Sequence, residues 1–208
     1  HRFGDGPEGW SVALKGLRQS QPTWKWIHLR GRDLPQTCYM GKAVPGWGNY
    51  HDTGLTTVGS RDYENQEIIA EATVNEAHSI LDDLNAEGIP SARVVVGGFS
   101  MGAAAAVEIA LRYPKRLGGL VMLNGWLPPG ARASIKTADL QDLPVLVSHG
   151  SADEQVGFDC GTEAARLLKD AGADLQFEVH EGLRHVESGF GPGKGLAENF
   201  LLKCLSNP

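Results

Sequence analysis

Residues 94–106 read Val94-Val95-Val96-Gly97-Gly98-Phe99-Ser100-Met101-Gly102-Ala103-Ala104-Ala105-Ala106. An apolar run of strand length is followed by a serine between two glycines, and then by small residues that suit a helix packed on a sheet. A sharp turn from a strand into a helix leaves no space for side chains at Gly98 and Gly102, and it lets the Ser100 hydroxyl project from the sheet edge. The stretch therefore predicts a nucleophile on a strand-to-helix turn.

Length and composition favour one soluble α/β domain over residues 1–208. The chain is 41% hydrophobic and 21% charged, and its net charge is −6. No apolar run approaches the roughly 20 residues that cross a bilayer. The acidic balance, without any cluster of Lys or Arg, disfavours nucleic acid or anionic lipid as the main partner.

The number and spacing of the cysteines indicate the redox state of the cellular compartment. Cys38, Cys160 and Cys204 are widely spaced and odd in number. This usage favours free thiols in a reducing compartment over a disulfide framework. We therefore expect a cytoplasmic protein, although the first residue is His1 and the native N-terminus cannot be read from the chain.

Strand and helix patterns alternate along the chain. We predict strands at 23–29, 93–97, 119–123, 144–148 and 175–179, and helices at 62–87, 101–113, 162–171 and 196–205. Residues 31–60 lack periodicity and read as a long loop, which in a compact domain is usually functional. The alternation predicts a mostly parallel central sheet with helices on both faces.

A serine nucleophile needs a base, and the base needs a group that fixes its tautomer. Asp153 follows the strand at 144–148 and His185 follows the strand at 175–179. Because the carboxyl ends of parallel strands meet at one edge of a sheet, these residues and Ser100 are expected to converge. Glu154 and His180 are the alternatives for the acid and the base.

Four segments together resemble the acyl-protein thioesterases and related small, lysophospholipase-like carboxylesterases of the α/β-hydrolase superfamily. They are Gly98–Gly102, Asn124-Gly125-Trp126-Leu127-Pro128, His149–Val156 and Gly182–His185. The resemblance covers essentially the whole chain. It implies an α/β-hydrolase fold, a catalytic triad of Ser100, Asp153 and His185, and hydrolysis of acyl thioesters or esters without any metal or cofactor.

The first residues, His1-Arg2-Phe3-Gly4-Asp5-Gly6, resemble the family's oxyanion-hole loop. The match implies that the backbone amides of Phe3 and Met101 stabilise the oxyanion. Arg2 stands where the family has glycine, so the loop would be strained if that position needs a positive φ. Asn124 replaces the family's small serine.

In this fold a strand precedes the oxyanion loop in the middle of the sheet. We therefore expect upstream residues in the natural protein. If residues 1–208 are the whole molecule, we expect an altered sheet order or a strand from a partner.

Apolar side chains near the three catalytic candidates predict a hydrophobic groove for an acyl chain. The candidate substrate-binding residues are Trp47, Tyr50, Leu55, Trp126, Leu127 and Phe158. Aromatic residues in a loop also commonly pack that loop onto the body of a protein.

The leading hypothesis is thus a serine hydrolase of acyl thioesters or carboxylic esters. Its partner would be an acylated protein or a small acyl ester, with peripheral membrane contact through a lipidated substrate. Such an activity implies depalmitoylation or lipid metabolism. The alternatives are a small-molecule carboxylesterase or lysophospholipase, a peptidase, and a binding protein that keeps the fold without activity, for which Arg2 is the only hint. The sequence does not indicate an oligomeric state.

Overall fold

A parallel sheet of four strands organises the computed structural model, which describes residues 1–138 and 140–206. The strands in chain order are β1 Arg32–Pro35, β2 Ala43–Gly46, β3 Val95–Phe99, β4 Gly119–Leu123, β5 Pro144–Gly150 and β6 Asp174–His180. The helices are α1 Glu8–Ala13, α2 Lys15–Ser20, α3 Glu71–Ala86, α4 Met101–Arg112, α5 Pro129–Ser134, α6 Phe158–Asp170, α7 His185–Ser188 and α8 Lys194–Leu205. The sheet order is β3-β4-β5-β6, and β1 pairs with β2 in a separate antiparallel hairpin. The predicted α/β class is confirmed.

Helices cover both faces of this sheet because β4 and residues 144–147 of β5 are apolar on both faces. All five residues of β4 are buried. Leu120 and Met122 face α4 and α6, whereas Val121 and Leu123 face α8, as the two-residue alternation of a strand requires. A strand buried on both faces reads as a continuous apolar run, which is why β4 and β5 were predictable.

Two predicted elements are wrong in the structure. Residues 23–29 form no strand, because no neighbouring strand pairs with them among the described residues. The helix predicted from residue 62 begins only at Glu71. Asp62 and Asn65 accept hydrogen bonds from loop amides, and such side chain to backbone bonds compete with helix formation.

The long segment 31–60 is more regular than predicted. It contains the hairpin of β1 and β2, whose tip is a single turn at Thr37–Tyr39. Each strand has four residues and includes a proline, Pro35 or Pro45, so the segment lacks a readable period.

The sheet edge at β3 borders a large apolar groove. β3 pairs with β4 on one side, and a groove of about 710 Å³ lies along it, lined by Trp24, Trp26, Leu81 and Val95 among others. The expectation of a further strand on this side stays a prediction.

The cysteines Cys38, Cys160 and Cys204 are free thiols, and Cys160 is buried. No helix in the described part of the chain has the length and apolar character needed to cross a membrane.

Candidate active site

Ser100 lies on the sharp turn between β3 and α4. Its φ is +59° and its ψ is −127°, a strained combination for a residue with a side chain. The flanking glycines permit this turn: a Cβ on Gly98 would lie 2.0 Å from Gly102 O, and one on Gly102 would lie 2.4 Å from His1 O. Gly98 and Gly102 are therefore required by close backbone contact, and Ser100 itself is buried.

Asp153 lies in the loop after β5, with its carboxylate fully buried. Its Oδ1 accepts hydrogen bonds from the backbone N–H groups of Gln155 and Val156, both at 2.9 Å. Its Oδ2 accepts from His185 Nδ1 at 2.6 Å and from Asn124 Nδ2 at 2.8 Å. Both oxygens of this carboxylate are thus held in fixed positions.

The ionisation of Asp153 follows from these contacts. Burial is the largest single influence and opposes ionisation, but hydrogen bonds from His149, His185 and Asn124 together outweigh it. They hold the pKa of the Asp153 carboxyl well below its usual range. The group is therefore a carboxylate at neutral pH, as is needed to orient and stabilise a charged imidazole.

His185 begins the short helix α7 after β6 and is completely buried. Its ring packs on Phe99, the neighbour of Ser100, with ring centroids 4.7 Å apart. Its Nδ1 must carry a proton to bond the Asp153 carboxylate, so the neutral ring presents Nε2 as an acceptor.

The acceptor nitrogen of His185 is unpaired within the described part of the chain. Nε2 is buried and has no hydrogen-bond partner within the described residues, Ser100 included. Buried polar atoms are nearly always paired, so an unpaired one needs an explanation. In apo enzymes the bond between nucleophile and base is often long and tightens when substrate binds.

The alternative acid and base have other partners. Glu154 Oε2 accepts the His185 backbone N–H at 3.2 Å and lies 3.4 Å from Arg184 Nε, so it caps the start of α7. His180 Nε2 pairs with Ser148 Oγ at 2.8 Å. Of the two candidate histidines, His185 is thus the one whose imidazole bonds a buried carboxylate, and of the two candidate acids, Asp153 supplies that carboxylate.

The segment His1–Gly6 lies directly against the turn that carries Ser100, as the contact between His1 O and Gly102 requires. The backbone N–H groups of Phe3 and Met101 have no acceptor in the part of the chain described. Gly4, not Arg2, is the residue with a positive φ, at +71°. The strain considered for Arg2 is therefore absent, and its guanidinium instead faces Asp5 on the surface.

Two polar residues of this site were not singled out from the sequence as site members. Asn124 follows β4 and contacts Asp153 directly. His149 on β5 bonds Val156 O through Nε2 at 2.9 Å, and the same nitrogen lies 3.4 Å from Asp153 Oδ2. One signal was available for Asn124, because asparagine directly after a strand often marks a left-handed φ, here +50°.

The structure divides the predicted substrate-binding residues into two groups. Trp47, Trp126 and Leu127 are buried in the apolar core, and Trp47 Nε1 donates to His1 O. Tyr50, Leu55 and Phe158 retain some exposure, and that of Leu55 reaches 47%. The side chains of the first group are covered by protein in this structure, and the substrate-binding roles of all six residues stay predictions.

Aromatic rings connect the core to the hairpin. The Tyr50 ring lies 6.2 Å from that of Trp126, and Phe3 lies 4.9 Å from Tyr50 and 5.9 Å from Tyr39. The oxyanion-loop candidate Phe3 is thus packed on the hairpin.

Comparison with known proteins places this geometry in context. Residues 1–191 match the family model described as Phospholipase/Carboxylesterase. A probable carboxylesterase of Oryza sativa subsp. japonica is 33% identical over 162 residues, which are 77% of this chain and 59% of the rice protein. This chain thus spans less than two thirds of that relative. Acyl-protein thioesterase 1 of Neurospora crassa is 29% identical over 89% of this chain and 77% of its own. The crystal structure of Arabidopsis thaliana SOBER1 superposes with a TM-score of 0.85 at 28% identity, covering 99% of this chain and 96% of that one.

Proposed function

This chain belongs to the phospholipase/carboxylesterase family and has the α/β-hydrolase fold, and we propose from its site that it is a serine hydrolase of acyl thioesters or carboxylic esters. The observation that carries the proposal is the buried His185 imidazole. One nitrogen is held at 2.6 Å by the Asp153 carboxylate, the other has no hydrogen-bond partner among the residues that the structure describes, and the ring lies on the residue next to Ser100.

In the proposed mechanism Ser100 Oγ attacks the acyl carbonyl carbon while His185 Nε2 takes the hydroxyl proton. The Asp153 carboxylate stabilises the imidazolium that forms. The N–H groups of Phe3 and Met101 donate to the oxyanion. His185 then protonates the leaving thiolate or alkoxide, and the acyl-enzyme is hydrolysed by a water molecule that His185 deprotonates.

We propose an acylated protein or a small acyl ester as the substrate, in a reducing, cytoplasmic setting. Removal of a fatty acyl group from protein cysteine would be depalmitoylation, and peripheral membrane contact would come through the lipidated substrate. The free thiols and the thioesterase name of the Neurospora relative support this choice. Small-molecule carboxylesterase or lysophospholipase activity is the second candidate, supported by the carboxylesterase names of plant relatives.

A fluorophosphonate probe tests the proposal directly. The wild-type protein should be labelled at Ser100, and Ser100→Ala should fold normally, remain unlabelled and lose at least roughly a thousandfold in turnover, because triad members act as a unit. Comparable labelling of both proteins, or absence of label from a folded wild type, would contradict the proposal and favour a binding protein.

Rates on three substrates then separate the candidates. A long-chain acyl thioester and an S-palmitoylated peptide should be cleaved with higher kcat/KM than a short-chain aryl ester. The reverse order would favour the small-molecule carboxylesterase.

A further inference from the structure

Asn124 occupies an unusual backbone position at the end of β4. Its φ is +50°, its backbone N–H donates to Ser148 O at 2.8 Å, and it is completely buried. The turn that follows β4 therefore points this side chain toward the loop after β5 and toward α7.

The Asn124 amide uses both of its protons. Nδ2 donates to Asp153 Oδ2 at 2.8 Å and to Ser188 Oγ at 2.7 Å. A carboxylate oxygen can only accept, so the atom facing Asp153 must be the nitrogen. Ser188 Oγ in turn donates to His185 O at 3.2 Å. One amide group thus joins the end of β4, the acid loop and the helix that carries the imidazole.

This residue is poorly suited to a purely structural role. A left-handed φ is unfavourable for any residue other than glycine, although asparagine tolerates it best. Its Oδ1 is buried without a partner among the described residues, which is also unfavourable. Such local costs are typical of functional sites, where the contacts that remain serve the chemistry. Here those contacts are the two bonds donated by Nδ2.

We propose that Asn124 is a positioning residue for the reaction, which orients the Asp153 carboxylate toward His185. Backbone N–H groups hold Oδ1, and Asn124 holds Oδ2 beside His185 Nδ1. Without the amide, Oδ2 keeps only the longer contact with His149 Nε2, at 3.4 Å, besides the bond from His185 itself, so the imidazole faces a less firmly held oxygen. This inference rests on the proposed serine hydrolase function.

Two substitutions of Asn124 distinguish the effect of its side-chain amide from the effect of its backbone conformation. Asn124→Gly removes the amide and accepts the positive φ without strain, whereas Asn124→Ala removes the amide and adds strain. Both should lower kcat on a short-chain aryl ester by roughly ten- to a hundredfold, as expected when a catalytic group is slightly misplaced. KM should change little, because the amide does not touch the substrate, and Asn124→Ala should have the lower Tm.

Two further variants serve as comparisons. Ser188→Ala keeps the bond to Asp153 and should lose less kcat than either Asn124 variant. Asn85→Ala removes a remote amide that bonds Leu81 O and Tyr113 Oη, so it should lower Tm and leave kcat unchanged. Wild-type kcat in Asn124→Gly, or kcat losses that simply follow Tm across the four variants, would overturn the inference.

A spectroscopic readout keeps the inference testable apart from the proposed function. The proton between His185 Nδ1 and Asp153 Oδ2 should give a low-field NMR resonance in the wild type. It should be shifted or lost in Asn124→Gly and retained in Asn85→Ala. An inactive, unlabelled wild type that shows this pattern would overturn the hydrolase function while upholding the positioning by Asn124, whereas an unchanged resonance in Asn124→Gly would overturn the positioning.

Discussion

Two regions of this molecule are each organised around a buried aspartate, and of these two carboxylates the one bonded to an imidazole is that of Asp153. Asp62 accepts backbone N–H groups from His51 and Asp52, both at 2.8 Å, and a bond from Asn65. Asp153 likewise accepts two backbone N–H groups, but its other partners include an imidazole. Satisfying a buried carboxylate is therefore a structural requirement that both loops meet. The proposed chemistry depends on the imidazole of His185, which bonds the Asp153 carboxylate.

Replacing Asp153 should have the largest effect and tests whether this residue differs from Asp62. Asp153→Asn keeps the shape but loses the charge and stabilises the wrong imidazole tautomer, so we expect kcat to fall by about 10⁴-fold. Steady-state kinetics on a short-chain aryl ester measure this effect. A variant within tenfold of the wild type would show that Asp153 is only a structural carboxylate, like Asp62.

The matched substitution in the other region should affect stability more than activity. Asp62→Asn places an amide N–H against a backbone N–H and should lower the free energy of unfolding by about 1–3 kcal/mol, the usual cost of a buried group left unpaired. Urea denaturation measures this loss. At a temperature where the variant is folded, its kcat should remain within a few-fold of the wild-type value. A loss of kcat as large as that of Asp153→Asn would show that the two aspartates do not differ in their importance for activity.

The pH dependence of the free energy of unfolding tests the role of the Asp153 charge further, and the expected effect is smaller than those above. The pKa of Asp153 is lowered by folding, so its ionisation stabilises the native state above the unfolded value of about 3.9, and this contribution is lost as the pH falls toward the folded pKa. The stability gap between wild type and Asp153→Asn should therefore narrow below about pH 4. Urea midpoints measured between neutral and acidic pH check this, and a gap independent of pH would contradict it.

Sequence reasoning singled out the candidate residues whose signals are local. Ser100 was recognisable because its turn needs Gly98 and Gly102 within two residues, and the turn is indeed closed by their backbone contacts. Asp153 and His185 were singled out because each follows a predicted strand, and these strands are β5 and β6 in the structure. The parallel order of these strands then brings the two residues together.

The remaining features depend on contacts between distant residues. Asn124 meets Asp153 and Ser188, 29 and 64 positions away. The late start of α3 depends on Asp62 binding amides in another part of the loop. The hairpin of β1 and β2 is stabilised by pairing and by rings such as Phe3 and Tyr50, with no period in its own sequence. No local pattern encodes these contacts.

The parallel register of β3 to β6 also has a kinetic consequence. Ser100, Asn124, Asp153 and His185 each follow a different one of these four consecutive strands. Slipping one strand by a single residue would displace its group by about 3.3 Å and turn alternate side chains to the opposite face. During refolding, helical signal can therefore return early, whereas the proposed hydrolase activity can return only after the last strand has docked in register.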